Sequence, residues 1–314
     1  MRHLLIKCAV AAGFFTVLGA IGFGFLFAVD EYNLLALENK EIFPPDESLP
    51  LGGCVSGSDR EIRSFPTGPH ASAVPILTYH RIVDQQDLGS THMIKGKRNL
   101  MVVTKQEFAT QMNHLKEEGY TSLSLKEVYH FLEQGLKVPE KSVVLTFDDG
   151  YKDNYIEAYP ILKKYRFHAA NFIITSKITK RVADYTPEYV QYFSIQEMQR
   201  SCDVFEFQSH SFDYHKRGKD VTNKRMSYLV TKSEKEIVRD TNTSIFQLGG
   251  EKLAFAYPYG EYTVKSMDAL RKTGLTMAFT TENKKARPGD HIYEIPRYQI
   301  LSTTTFEEFK EMIK

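Results

Sequence analysis

The chain has 314 residues, a quarter of them charged, and its 40 Lys and Arg nearly cancel its 39 Asp and Glu. A net charge of +1 excludes a nucleic-acid binder, which presents a strongly basic face. The length suits one large catalytic domain or two smaller ones, and three cysteines (Cys8, Cys54 and Cys202) make neither a disulfide framework nor a Cys-x-x-Cys metal knuckle.

The first element is apolar. Cys8 to Val29 is a run of 22 uncharged, mostly apolar residues, long enough for a helix to cross a bilayer. Arg2 and Lys7 precede it and Asp30 and Glu31 follow, which keeps the start of the chain cytoplasmic and sends the rest outside the cell. Residues 1–29 therefore read as a transmembrane signal-anchor of a single-pass cell-membrane protein; the alternative is a cleaved leader and a secreted form. Residues 30–72 are rich in Pro and Gly, with no sustained periodicity, and read as an extracellular linker. Leu51-Gly52-Gly53-Cys54 has the look of a lipoprotein acceptor but lies too far beyond the apolar run, and is read as part of the linker.

From residue 73 to 314 short apolar runs alternate with amphipathic segments. The strand candidates are Pro75–Tyr79, Ser142–Phe147, Ala169–Ile174, Val204–Phe207, Leu253–Tyr257 and Met277–Thr280. The helix candidates are Thr104–Glu118, Ser124–Glu133, Asn154–Tyr165 with a kink at Pro160, Ser194–Arg200, Ser233–Gln247, Tyr262–Thr273 and Thr305–Ile313. Thr104 with Glu107, and Ser124 with Glu127, form capping boxes. Alternation of this kind predicts an α/β fold: a distorted (β/α) barrel of about seven parallel strands, with its chemistry at the C-terminal strand ends.

Those ends carry chemistry. Asp148-Asp149-Gly150 follows one run, His210 and then His215 another, His80 a third, and Tyr257-Pro258-Tyr259-Gly260 a fourth. Two adjacent carboxylates leaving a buried strand repel each other, which a cation relieves; an Asx turn is the structural alternative. Two histidines with one carboxylate are a catalytic zinc set, yet a step of five matches no helical face and equally fits two solvated loop residues. His80 alone reads as structural.

Together these segments carry a resemblance. Thr146-Phe147-Asp148-Asp149-Gly150 resembles the first signature of the NodB-homology polysaccharide deacetylases, carbohydrate esterase family 4. His210-Ser211-Phe212-Asp213-Tyr214-His215 is similar to the second motif and Ala256-Tyr257-Pro258-Tyr259-Gly260 to the third. The match to the family's histidine motif, Leu77-Thr78-Tyr79-His80-Arg81, stands before the Asp pair rather than last. That order, with the five-residue histidine step, resembles the permuted branch of poly-β-1,6-N-acetyl-D-glucosamine N-deacetylases.

The resemblance implies a metal-dependent hydrolase that removes N-acetyl groups from an extracellular amino-sugar polymer. Asp149, His210 and His215 would hold a divalent metal, zinc in the first place, with Co, Ni or Fe as alternatives. Asp148 would be the general base, His80 the general acid, and the Tyr259 amide an oxyanion donor. The implied partners are the glycan, the membrane and the exopolysaccharide synthesis or export machinery. The alternatives are a peptidoglycan or other surface-glycan deacetylase, or a catalytically weak glycan-binding protein on the same scaffold. The last draws on Ala256, which stands where the family usually has an Arg that orients the base. Arg297 is either a replacement cation or a surface charge. Lys216–Lys235, with seven basic residues against two acids, reads as a solvated insertion or a patch for an anionic polymer. The tyrosines of 181–193 read as core or as sugar-stacking rings.

Overall fold

The computed structural model describes residues 42–65 and 67–314. The signal-anchor and the first part of the expected linker lie outside the described residues; among those described, no helix is long and apolar enough to cross a membrane.

The centre is one parallel sheet. Its strands are β1 (Ile76–Tyr79), β2 (Thr121–Ser122), β3 (Ser142–Asp149), β4 (Ala169–Ile173), β5 (Phe205–Ser209), β6 (Ala254–Ala256), β7 (Met277–Phe279) and β8 (Tyr298–Gln299). Seven of them follow the path β7-β6-β5-β4-β3-β1-β8, and β2 pairs with the start of β3. The sheet curls. The final segment spans its two edges, with Ile295 bridged to Phe279 at one side and Tyr298–Gln299 paired with β1 at the other. The expected parallel α/β architecture is therefore present, and the closing segment carries Arg297 between its two pairings.

Helices alternate with the strands: α1 (Lys105–Glu117), α2 (Leu125–Glu133), α3 (Tyr159–Tyr165), α4 (Ile195–Ser201), α5 (Glu234–Gln247), α6 (Val264–Thr273) and α7 (Phe306–Ile313). Five start with the same Ser/Thr–Glu capping box. Thr104/Glu107, Ser124/Glu127, Ser194/Glu197, Ser233/Glu236 and Thr305/Glu308 each satisfy two backbone N–H groups that a helix start leaves open. The kink expected at Pro160 is a π-helical turn over Asn154–Ala158 that runs into α3. Proline has no N–H to donate, and the wider turn absorbs the lost bond.

Side chains alternate across each strand. Leu145 and Phe147 of β3, with Phe205 and Phe207 of β5, pack into the core under Phe108, Met112 and Met198 of the helices. Val144, Ala170, Phe172 and Ala256 point the other way, into the curl, with Phe279 and Ile295. Thr146 and Asp148 have the parity of Val144, so the same alternation turns them inward.

From Phe43 onward, the segment expected as linker packs on the domain. Phe43 and Leu49 are buried in the core, and Cys54 is disulfide-bonded to Cys202. Arg63 forms a bidentate pair with Glu127, and Ser58 donates to Glu251. Proline and glycine spacing described the absence of regular structure here and said nothing about docking. The disulfide also corrects the reading of the cysteines. An odd count bears on a framework as a whole, whereas a single pair depends on two distant segments meeting.

Candidate active site

Each proposed ligand or catalytic group leaves the C-terminal end of a strand. Asp149 ends β3 with φ 74, Ser211 follows His210 at φ 82, and Tyr259 has φ 61. Three non-glycine residues in the left-handed region around one site are costly, and such strain gathers where side chains must be aimed. Gly150 also has positive φ, and a Cβ there would come within 2.8 Å of Ile173 Cγ2, so the Asp-Asp-Gly turn requires glycine.

Asp149 Oδ1 lies 3.1 Å from His215 Nε2 and 3.5 Å from His210 Nε2. One ligand atom from each of these residues lies within 4.8 Å of the others. His210 Nδ1 is 2.8 Å from the Ala256 carbonyl oxygen, which can only accept, so the ring proton sits on Nδ1 and Nε2 turns toward Asp149. That leaves the lone pair of a neutral Nε2 facing a buried Asp149 oxygen that has no hydrogen-bond partner. Such an arrangement calls for a positive charge. Burial disfavours a charged His210, yet the adjacent carboxylates of Asp149 and Asp148 draw a proton onto it and raise its pKa. Burial pushes His215 down to about 4, which leaves it neutral and free to ligate. The residues fit a divalent cation, which would take the place of that proton.

Asp148 faces elsewhere. Arg297 donates from Nη1 to Oδ1 at 2.8 Å and from Nη2 to Oδ2 at 2.7 Å. The guanidinium is fully buried, donates also to the Thr280 carbonyl and Thr146 Oγ1, and lies over the rings of Phe172 and Phe279. Burial alone raises the Asp148 carboxyl; the charges of Arg297 and His210 outweigh it and hold the group below its ordinary range. The surface-charge reading of Arg297 is excluded. The guanidinium absent at Ala256 arrives from the closing segment.

His80 follows β1. Its carbonyl accepts from Asn154 Nδ2 at 2.7 Å, and Asn154 Oδ1 accepts in turn from Asn171. Its Nδ1 is buried without a partner. The Tyr259 ring lies tilted against the His215 ring, 4.4 Å between centroids; its hydroxyl donates to the His215 carbonyl, and the Arg217 guanidinium covers it at 4.1 Å. Gly260, at φ 67, lets the turn press against Thr281. The basic stretch after His215 forms a small hairpin, Arg217–Lys219 with Arg225–Ser227, fastened to this turn through Glu261. Of the aromatic segment, Phe193 is core while Tyr189 is half exposed. The Asn154 contact to His80 lay outside the sequence reading, because an Asn at a helix start has too many ordinary uses.

Comparison with known proteins agrees. A family model described as polysaccharide deacetylase matches residues 135–278. A poly-β-1,6-N-acetyl-D-glucosamine N-deacetylase of Staphylococcus aureus is 30% identical over 238 residues, 74% of this chain and 79% of the relative. The chain belongs to the polysaccharide deacetylase family. It is an enzyme of that family's kind, a polysaccharide N-deacetylase. The Staphylococcus epidermidis protein of the same name is 30% identical over 74% of this chain and 80% of its own length. Among solved structures, the Streptococcus pyogenes deacetylase PplD in complex with acetate superposes with TM-score 0.65 at 27% identity, covering 77% of this chain and 98% of that one. IcaB from Ammonifex degensii shares the fold, with TM-score 0.60 at 24% identity over 78% and 97%. The family match contains Asp148, Asp149, His210, His215 and Tyr259 but leaves His80 before it and Arg297 after it.

Proposed function

We propose that this deacetylase hydrolyses N-acetyl groups of poly-β-1,6-N-acetylglucosamine outside the cell, held at the membrane by its N-terminal apolar segment. The observation that carries the chemistry is the pairing of two neighbouring carboxylates with opposite partners: Asp148 with a buried guanidinium, Asp149 with two imidazoles. The permuted position of His80 and the staphylococcal relatives support the polymer. The Cys54–Cys202 disulfide supports an oxidising, extracellular setting.

A divalent metal bound by Asp149, His210 and His215, zinc before Co, Ni or Fe, supplies Lewis acidity toward a water and the acetyl carbonyl. The protein's own groups do the rest. Asp148, kept ionised by Arg297, removes a proton as water oxygen attacks the acetyl carbon. The Tyr259 amide donates to the oxygen on which negative charge develops. The C–N bond then breaks as His80 delivers a proton to the departing nitrogen, since an amide nitrogen leaves poorly as an anion. Acetate and a free amino sugar result. The buried Arg297–Asp148 pair removes the main reason for a catalytically silent scaffold, which was the alanine at position 256.

The deciding experiment measures acetate release by the metal-loaded enzyme from purified poly-β-1,6-N-acetylglucosamine and from peptidoglycan. Turnover of the first is expected; turnover of peptidoglycan alone overturns the substrate assignment.

A further inference from the structure

Between His210 and His215 the four residues 211–214 belong to no helix or strand. His210 is anchored by the sheet, its N–H donating to the Ile173 carbonyl. His215 is a fifth exposed, and its ring rests on Tyr259. Whether the second imidazole meets the first therefore depends on what holds residues 211–214.

Helix α5 holds them. Asp240 Oδ2 accepts from the Phe212 N–H at 3.0 Å and Oδ1 from the Asp213 N–H at 2.9 Å. One turn along the helix, the Ser244 hydroxyl meets Ser209 Oγ at 2.7 Å, and Ser209 Oγ accepts from the Ser211 N–H at 3.2 Å. On the opposite side the Ser211 and Phe212 carbonyls accept from the Thr175 and Ser176 N–H groups. The two N–H groups that Asp240 takes follow directly on Ser211, the residue held at φ 82.

We propose that Asp240 is a positioning residue of the metal site: by clamping the Phe212 and Asp213 amides it sets where His215 stands relative to His210 and Asp149. This rests on the metal reading above.

Asp240 is costly on any other account. Aspartate is a poor helix former, and this one is buried inside a helix with no ion-pair partner among the described residues. Burial pushes its carboxyl up to about 7 against the two amide bonds. A carboxylate kept at such a cost, with both oxygens spent on one loop, is there for the loop. Groups that orient ligands from behind typically change metal affinity by about 10- to 100-fold when removed.

The test is Co²⁺ and Zn²⁺ binding by the full chain, read by chelator competition and by the visible spectrum of the Co²⁺ form. Asp240→Asn retains size but offers one acceptor and turns an NH₂ toward an amide N–H. It is expected to weaken metal binding about 10- to 100-fold and to alter the Co²⁺ spectrum, while the thermal midpoint of the metal-free protein moves far less. Asp240→Glu, which restores two acceptors, should recover part of the affinity; it also serves if the Asn variant does not fold. Asn242→Ala, exposed on the same helix, controls for helix propensity. Wild-type affinity and spectrum in both Asp240 variants overturn the proposal. A wild-type protein that binds neither metal overturns instead the reading on which it rests.

Discussion

Arg297 and Asp148 stand 149 positions apart and meet as a fully buried, bidentate ion pair at the centre of the site. One comes from the segment that closes the sheet and the other from the end of β3.

Arg297→Gln removes the counter-charge and leaves burial, which raises the Asp148 carboxyl. A base with a lowered pKa is active down to that pKa and loses activity as pH falls through it. The acid limb of kcat/KM should therefore move to higher pH in the variant, by about 1–3 units. Breaking a buried pair also costs about 3–5 kcal/mol, so a lower thermal midpoint is expected. A pH–rate profile superposable on the wild type contradicts this account.

The neighbouring carboxylates should separate by function. Asp148→Asn is expected to lose acetate release by at least about 10²-fold while metal content stays near stoichiometric. Asp149→Asn should lose the metal itself, measured by elemental analysis after dialysis. Equal metal content in the two variants would contradict the ligand assignment.

The Cys54–Cys202 bond closes a span of 148 positions. Long loops gain most from closure in the chain-entropy model, up to about 5 kcal/mol here. Cys54→Ser should lower the thermal midpoint under oxidising conditions and leave it unchanged once both proteins are reduced. Thiol titration of the denatured, unreduced protein should find neither of these two cysteines free.

Glu206 lies at the opposite end of the curl from the site. Burial pushes its carboxyl up to about 7, with Arg60 only partly opposing at 3.8 Å. The folded form then binds a proton that the unfolded chain releases near its ordinary value, so this residue lowers stability as pH rises from about 4.5 to about 7. Glu206→Gln should remove that slope. The variant's midpoint, relative to wild type, should improve between pH 5 and pH 8; a pH-independent difference rules this out.

The strands, the helix starts and the order of the strand-end residues were legible in the chain, because each rests on local physics. Thr104 with Glu107 caps a helix whatever surrounds it, and Val143-Val144-Leu145 marks a buried strand by composition alone. The meeting of Asp149 with His210 and His215 was legible only through a resemblance, since a five-residue histidine step has no periodicity to recommend it. Tertiary structure decided the rest. Arg297 was as readily a surface charge as a partner for Asp148 until the sheet curled and its last segment crossed the gap. Cys54 and Cys202 had no reason to pair until Phe43 and Leu49 docked and brought the first beside the second. Asp240 reads in sequence as an ordinary helix residue, and only the packing of α5 behind the His210–His215 loop gives its carboxylate two amides to hold. Local propensity acts over a few residues, whereas a contact across a hundred or more depends on how the whole sheet bends, which no short stretch of sequence encodes.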